Sequence, residues 1–131
     1  MVACLIFAAA GFVIRTSAKL RTMYDNIYCG QHVADLIISH LDSSNRQWPE
    51  NWEDLADDYN TLDTTRGMAF SFDKLKSTIN VDWCADPTEL IELHENGIPS
   101  FVVISSVNGS NGHIEGREPN QLILNYLLGK Y

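Results

Sequence analysis

The sequence is poor in cysteine, in basic residues and in long apolar runs. Its three cysteines, Cys4, Cys29 and Cys84, are too few for a disulfide-dense mini-protein and include no Cys-x-x-Cys pair, which argues against a redox or metal motif. Only one segment is continuously apolar, and this excludes a multi-span membrane protein. Nine Lys and Arg residues against 17 Asp and Glu residues give a net charge of −8, which argues against a general nucleic-acid binder.

The common signatures of catalysis are missing as well. The chain contains no phosphate-binding loop, no nucleophile elbow and no dinucleotide fingerprint. Its four histidines, His32, His40, His94 and His113, lack the spacing of converging metal ligands. The acidic residues within 50–63 lack the glycine of a calcium-binding loop. We therefore expect no catalytic residue, no metal and no cofactor, which leans against an enzyme without deciding the question.

The charge is unevenly distributed along the 131 residues. Residues 1–49 carry four basic and three acidic side chains, a net charge of +1, whereas residues 50–131 carry five basic and 14 acidic side chains, a net charge of −9. Two parts with different surroundings give such a pattern, and so does a single domain that charge keeps in solution. The 45 % of apolar residues are enough for the core of one domain.

The amino terminus is the apolar segment VACLIFAAAGFVI, residues 2–14. A helix needs about 20 apolar residues to cross a bilayer, and a signal peptide carries basic residues before its apolar run. Here the bases Arg15, Lys19 and Arg21 follow the run. We expect residues 1–15 to be a single-span membrane anchor or signal-like segment in front of one soluble domain, residues 16–131. A truncated longer anchor and a buried core helix are the alternatives, and the side of the membrane stays open.

The segment after the apolar run has the spacing of an amphipathic helix. Apolar residues recur every three or four positions from Leu20 to Leu41, which predicts one helix over about residues 3–42. Gly30 lies on this stripe, where glycine costs about 1 kcal/mol relative to alanine. We interpret it as the mark of a close approach by a neighbouring element.

The rest of the chain alternates between strand and helix patterns. Alternating or continuous apolar residues predict strands at 68–72, 79–83, 101–104 and 113–115. Helix starts are predicted at Asn51, at Asp86 as a cap before Pro87, and at Glu118, and residues 88–95 fit either a helix or one arm of a hairpin. The predicted fold class is α+β: a long amino-terminal helix, then a small, mainly antiparallel sheet of about four strands with short helices and a carboxy-terminal helix.

One resemblance covers much of the chain. An apolar amino terminus runs into a long helix, then into the segment QWPENWEDL at residues 47–55, then into strands. This arrangement resembles bacterial pseudopilins of type II secretion systems. It is also similar to small, uncharacterised membrane-anchored proteins of planctomycete-type bacteria, which carry a Trp-Pro-x-x-Trp-x-x-Leu motif. The resemblance implies a membrane-anchored protein that works by protein–protein contacts or self-association and not by catalysis.

A second resemblance covers residues 75–131 only. The segment GIPSFVVI at residues 97–104, the Asn-Gly turns after it and the last helix resemble the carboxy-terminal half of thioredoxin-like domains. In that family the proline that corresponds to Pro99 is cis and faces the active site. Because the chain has no Cys-x-x-Cys motif, the resemblance implies a redox-inactive or atypical thioredoxin-like domain, with Cys29, Cys84 and Pro99 as its site residues.

Overall fold

One long helix organises the structure. The computed structural model describes residues 2–98, 101–109 and 116–130, with the side chains among these from Arg15 onward. Helix α1 spans Val2–Ser43 and confirms the helix predicted over residues 3–42. It ends where Asn45 and Arg46 adopt positive φ angles of 58° and 64° and the Arg46 N–H donates to the Leu41 carbonyl at 2.8 Å, the bonding pattern of a Schellman cap.

The predicted membrane anchor is wrong. Among the described residues, none of the helices combines the length and the apolar character that crossing a bilayer requires. The physical reason is that the apolar run ends after thirteen residues and the bases Arg15, Lys19 and Arg21 occupy the next two turns of α1, well short of about 20 apolar residues. The single-pass membrane localisation and the membrane contact through residues 2–14 lose their support with it.

Two further helices lie on either side of the first predicted strand, residues 68–72. A 3-10 turn at Glu53–Leu55 leads into α2, Ala56–Arg66, and Asn51 caps this turn by accepting the Asp54 N–H at 3.2 Å, as predicted. The strand predicted at 68–72 is absent, because Ser71 caps helix α3, Phe72–Thr78, by accepting the Lys74 N–H at 3.2 Å. The alternation of apolar residues before that cap is a loop whose Met68 and Phe70 pack on the core.

The sheet is smaller than predicted. Strand β1, Ile79–Val81, pairs antiparallel with β2, Ile104–Ser106, with Ile79 opposite Ser106. Two strands, not about four, are present in the described part of the chain, and the strand predicted at 113–115 lies outside it. Helix α4, Pro87–Glu95, connects β1 to β2 and settles the open alternative for residues 88–95 in favour of a helix, capped by Asp86 as predicted.

The core lies between α1 and the elements that follow. Helix α5, Pro119–Leu127, is capped by the predicted Glu118 and packs along α1. Gly30 permits this contact: a Cβ atom there would lie 3.1 Å from Cγ of Pro119, which confirms the predicted close approach. The most deeply buried apolar side chains form one cluster that includes Cys29, Val33, Ala34, Leu36, Ile37, Leu41, Leu55, Leu75, Ile79 and Ile123.

Candidate functional site

The first turns of α1 that have described side chains form an exposed basic segment. Every residue from 15 to 24 is exposed, and the segment carries Arg15, Lys19 and Arg21 but no acidic residue. Large apolar side chains lie beside these bases: Leu20 is 57 % exposed, Met23 45 % and Tyr24 54 %. In this part of α1 the apolar side chains are exposed, and basic residues lie beside them. Exposed apolar groups next to charged groups are the composition of a contact surface. We call residues 15–24 the basic segment.

An acidic segment lies elsewhere on the surface. Residues 50–63 carry six acidic residues and no Lys or Arg, and five of the six are exposed: Glu50, Glu53, Asp54, Asp57 and Asp63. The half-buried rings of Trp52 and Tyr59 lie among them, and Trp52 packs edge-on against Trp83 at 5.3 Å between ring centroids. The acidic segment thus combines negative charge with partly exposed aromatic surface.

A polar cavity of about 230 Å³ opens between α1, α3 and the residues after β2. One wall carries an ion pair, with Lys74 Nζ 2.8 Å from Asp25 Oδ2. Another carries Asn26, whose Nδ2 donates to Asn108 Oδ1 at 2.8 Å. Asn26 is only 6 % exposed, so this side-chain pair holds the loop after β2 against α1. The cavity thus presents both signs of charge and several hydrogen-bonding groups in one place.

The buried carboxylate of Asp58 joins two helices and was not predicted from sequence. Ser39 Oγ donates to Asp58 Oδ1 at 2.7 Å, and His40 Nδ1 lies 3.2 Å from Asp58 Oδ2. In a nucleophilic triad the histidine contacts the hydroxyl. Here Ser39 and His40 both contact the carboxylate, and the three residues therefore fasten α2 onto α1 instead of activating a nucleophile.

The two cysteines of the thioredoxin-like alternative do not form a disulfide. Cys29 is fully buried in α1, Cys84 is exposed after β1, and both are free thiols. Burial raises the pKa of the Cys29 thiol, outweighing a hydrogen bond with Thr78 and the nearby Lys74, whereas a reactive cysteine needs a lowered pKa. Cys29 is thus packed as a small apolar residue of the core, whereas Cys84 lies at the surface. Pro99 lies outside the described residues.

His32 is a half-buried histidine near the start of α5. Its Nδ1 atom is buried and has no hydrogen-bond partner among the described residues, and its ring packs edge-on against Phe70 at 5.9 Å between centroids. Burial lowers the pKa of His32 below 6.5, with Arg66 and Arg117 adding to this effect and Asp35 opposing it. The folded chain therefore prefers the neutral imidazole.

This preference predicts a loss of stability in mild acid. Below pH 6.5 the histidine of the unfolded chain binds a proton that the folded chain resists, so the free energy of unfolding falls as the pH drops, by at most about 1.4 kcal/mol per pH unit for one proton. We expect His32→Phe to make the stability between pH 7 and pH 5 less dependent on pH, as measured by urea unfolding. His94→Gln, a change at an exposed histidine, is the control. Equal slopes for wild type and His32→Phe would contradict the assignment.

No group of three or more His, Cys, Asp or Glu side chains gathers as a metal site within the described residues. Comparisons with protein-family models, with curated proteins and with solved structures found no match for this chain. The pseudopilin-like and thioredoxin-like resemblances thus stay predictions.

Proposed function

We propose that this chain is a non-catalytic domain that acts by self-association, through protein–protein contacts between its basic segment and the acidic segment of a second copy. The single observation that carries the proposal is the exposure of the whole basic segment. Leu20, Met23 and Tyr24 face solvent on a helix whose continuation is the centre of the core. Exposed apolar groups in such a cluster support a contact function.

Charge complementarity favours a second copy as the partner. The basic segment carries three positive charges, and the acidic segment offers five exposed carboxylates on the same molecule. Opposite surface potentials speed encounter and select the partner. Because the two surfaces are different, each copy donates one and accepts the other, a head-to-tail contact that continues into a ring or an open chain. The pseudopilin-like resemblance of the sequence is consistent with such an assembly.

The test is the mass of the protein in solution at two ionic strengths. By analytical ultracentrifugation we expect species larger than a monomer at about 50 mM salt and their loss at about 500 mM salt, where the screening length is only a few ångströms. Two charge-reversed variants should both be monomers: Arg15→Glu with Lys19→Glu and Arg21→Glu, and Glu50→Lys with Glu53→Lys and Asp57→Lys. Asp54 and Asp58 are left unchanged because they hold hydrogen bonds within the domain.

Mixing the two variants tests whether the basic segment of one copy binds the acidic segment of another. The intact basic segment of one variant then meets the intact acidic segment of the other, and the reversed segments are also complementary, so we expect association to return. Leu20→Asp, a change at an exposed position, should weaken association while leaving the far-ultraviolet circular dichroism unchanged. A wild-type chain that is monomeric at low salt, or variants that stay monomeric after mixing, would refute self-association.

A further inference from the structure

The wall of the polar cavity contains an ion pair, and the proposed protein–protein contact does not involve this pair. The side chain of Asp25 is 19 % exposed and that of Lys74 is 42 % exposed, so both charged groups are accessible from the cavity. Lys74 has three N–H donors and Asp25 has two acceptor oxygens, more than one mutual contact at 2.8 Å consumes. A ligand can therefore reach both charges without either one losing all its partners.

The hydroxyl groups around the ion pair act as acceptors. Thr22 donates its hydroxyl hydrogen to the Ala18 carbonyl at 3.0 Å, and Ser77 and Thr78 donate theirs to the Lys74 carbonyl at 3.0 and 2.7 Å. A hydroxyl that has committed its hydrogen offers only oxygen lone pairs to a further partner. Thr78 also has a hydrogen bond with Cys29. The oxygens of Thr22 and Ser77, together with the Asp25 carboxylate, therefore form an environment for the N–H groups of a ligand, while the Lys74 ammonium provides the place for an anion.

We propose that the cavity binds a small zwitterion of the α-amino acid class. Its ammonium group contacts Asp25 and the hydroxyl oxygens, and its carboxylate contacts Lys74. A ligand with a single charge is attracted by one member of the ion pair and repelled by the other, whereas a zwitterion places an opposite charge beside each member.

The size and the lining of the cavity narrow the ligand further. About 230 Å³ is below the range of roughly 300 to 1,000 Å³ that accommodates drug-sized molecules. Among the lining residues that the structure describes, Val107 is the one with a purely hydrocarbon side chain, which favours a ligand side chain that is small or polar. Glycine and serine are therefore the probes. Asn26 and Asn108 lie in the wall and report on occupancy through their side-chain amide groups.

The experiment is a titration of the ¹⁵N-labelled full chain followed by two-dimensional NMR. Glycine and serine should shift the side-chain amide signals of Asn26 and Asn108 saturably. Acetate and methylammonium, each carrying one of the two charges, should need concentrations at least about tenfold higher for the same shift. No saturable shift with either amino acid, or equal shifts with acetate or methylammonium, would overturn the proposal.

Variants of α3 provide the matched control. Lys74→Gln should weaken glycine binding at least about tenfold, and Lys74→Arg, which keeps the positive charge, should stay within about threefold of wild type. Lys76→Gln removes the same charge two residues away, where Lys76 pairs with Glu53 outside the cavity at 3.9 Å, and should bind as wild type does. Equal weakening by Lys74→Gln and Lys76→Gln would show a general effect of charge and refute the site. None of these variants replaces a residue of the basic or the acidic segment, although Lys76→Gln removes the ion-pair partner of Glu53. Self-association is therefore tested separately from amino-acid binding.

Discussion

Replacing Asn120 by alanine is expected to lower the free energy of unfolding by about 3 kcal/mol. Its Oδ1 accepts the N–H groups of Val103 and Ile104, both at 2.8 Å, and its Nδ2 donates to the Ile104 carbonyl at 3.0 Å. The side chain thus makes three hydrogen bonds with the backbone where β2 begins. Val103 and Ile104 are buried, and a buried backbone group without a partner costs about 1 to 3 kcal/mol.

The control for this prediction lies on the same helix. The side chain of Asn125 accepts a bond from the side chain of Gln121, at 2.9 Å and one turn away. Asn125→Ala should change stability by less than about 0.5 kcal/mol, because the lost bond is offset by the higher helix propensity of alanine. Urea unfolding followed by circular dichroism compares the two. Equal losses for Asn120→Ala and Asn125→Ala would show that the contact with β2 contributes little.

Leu36→Ala is expected to cost about 3 to 5 kcal/mol, whereas Leu20→Ala on the same helix should cost less than about 0.5 kcal/mol. Leu36 is fully buried in the core cluster, and its truncation leaves a cavity between α1 and the elements packed on it. Leu20 lies four turns earlier, in the basic segment, and is mostly exposed. Urea unfolding measures both changes, and a large loss from Leu20→Ala would place that residue in the core.

The same pair of variants separates folding from association. If the basic segment is a contact surface, Leu20→Ala should reduce self-association at low salt without lowering stability. A chain that kept both its stability and its association after this change would assign the association to a different surface. The measurement therefore complements the charge-reversed variants, which test the electrostatic half of the proposed contact.

Local sequence signals determined much of the helical structure. The spacing of apolar residues predicted α1, and capping residues predicted the starts of α4 and α5, because a cap and its helix lie within a few residues of each other. The role of Gly30 was also predictable from the sequence, because a glycine on an apolar helical stripe indicates a neighbour too close for a side chain. These predictions depend on bonds that close over three or four residues.

Short apolar segments were the source of the errors. Residues 68–72 alternate as a strand does, yet Ser71 starts a helix there. The apolar run at 2–14 had the composition of a membrane anchor, but the apolar sequence is too short to cross a bilayer. Residues 101–104 were predicted as a strand, but β2 begins only at Ile104, and the Val103 N–H before it donates to Asn120. In each case the apolar pattern is present in the sequence, but a neighbouring polar group determines which structure the segment adopts.

The sequence by itself determined the acidic and basic asymmetry, the lack of catalytic motifs, the long helix and the caps of the shorter ones. Only the tertiary structure decided which apolar residues of α1 are core and which face solvent, because the 3.6-residue period continues unchanged from Leu20 to Leu41 while the packing partners do not. It alone also brought Asp25 to Lys74, Asn26 to Asn108 and Asp58 to Ser39. These pairs are separated by 49, 82 and 19 positions, and no local pattern encodes a contact over such distances.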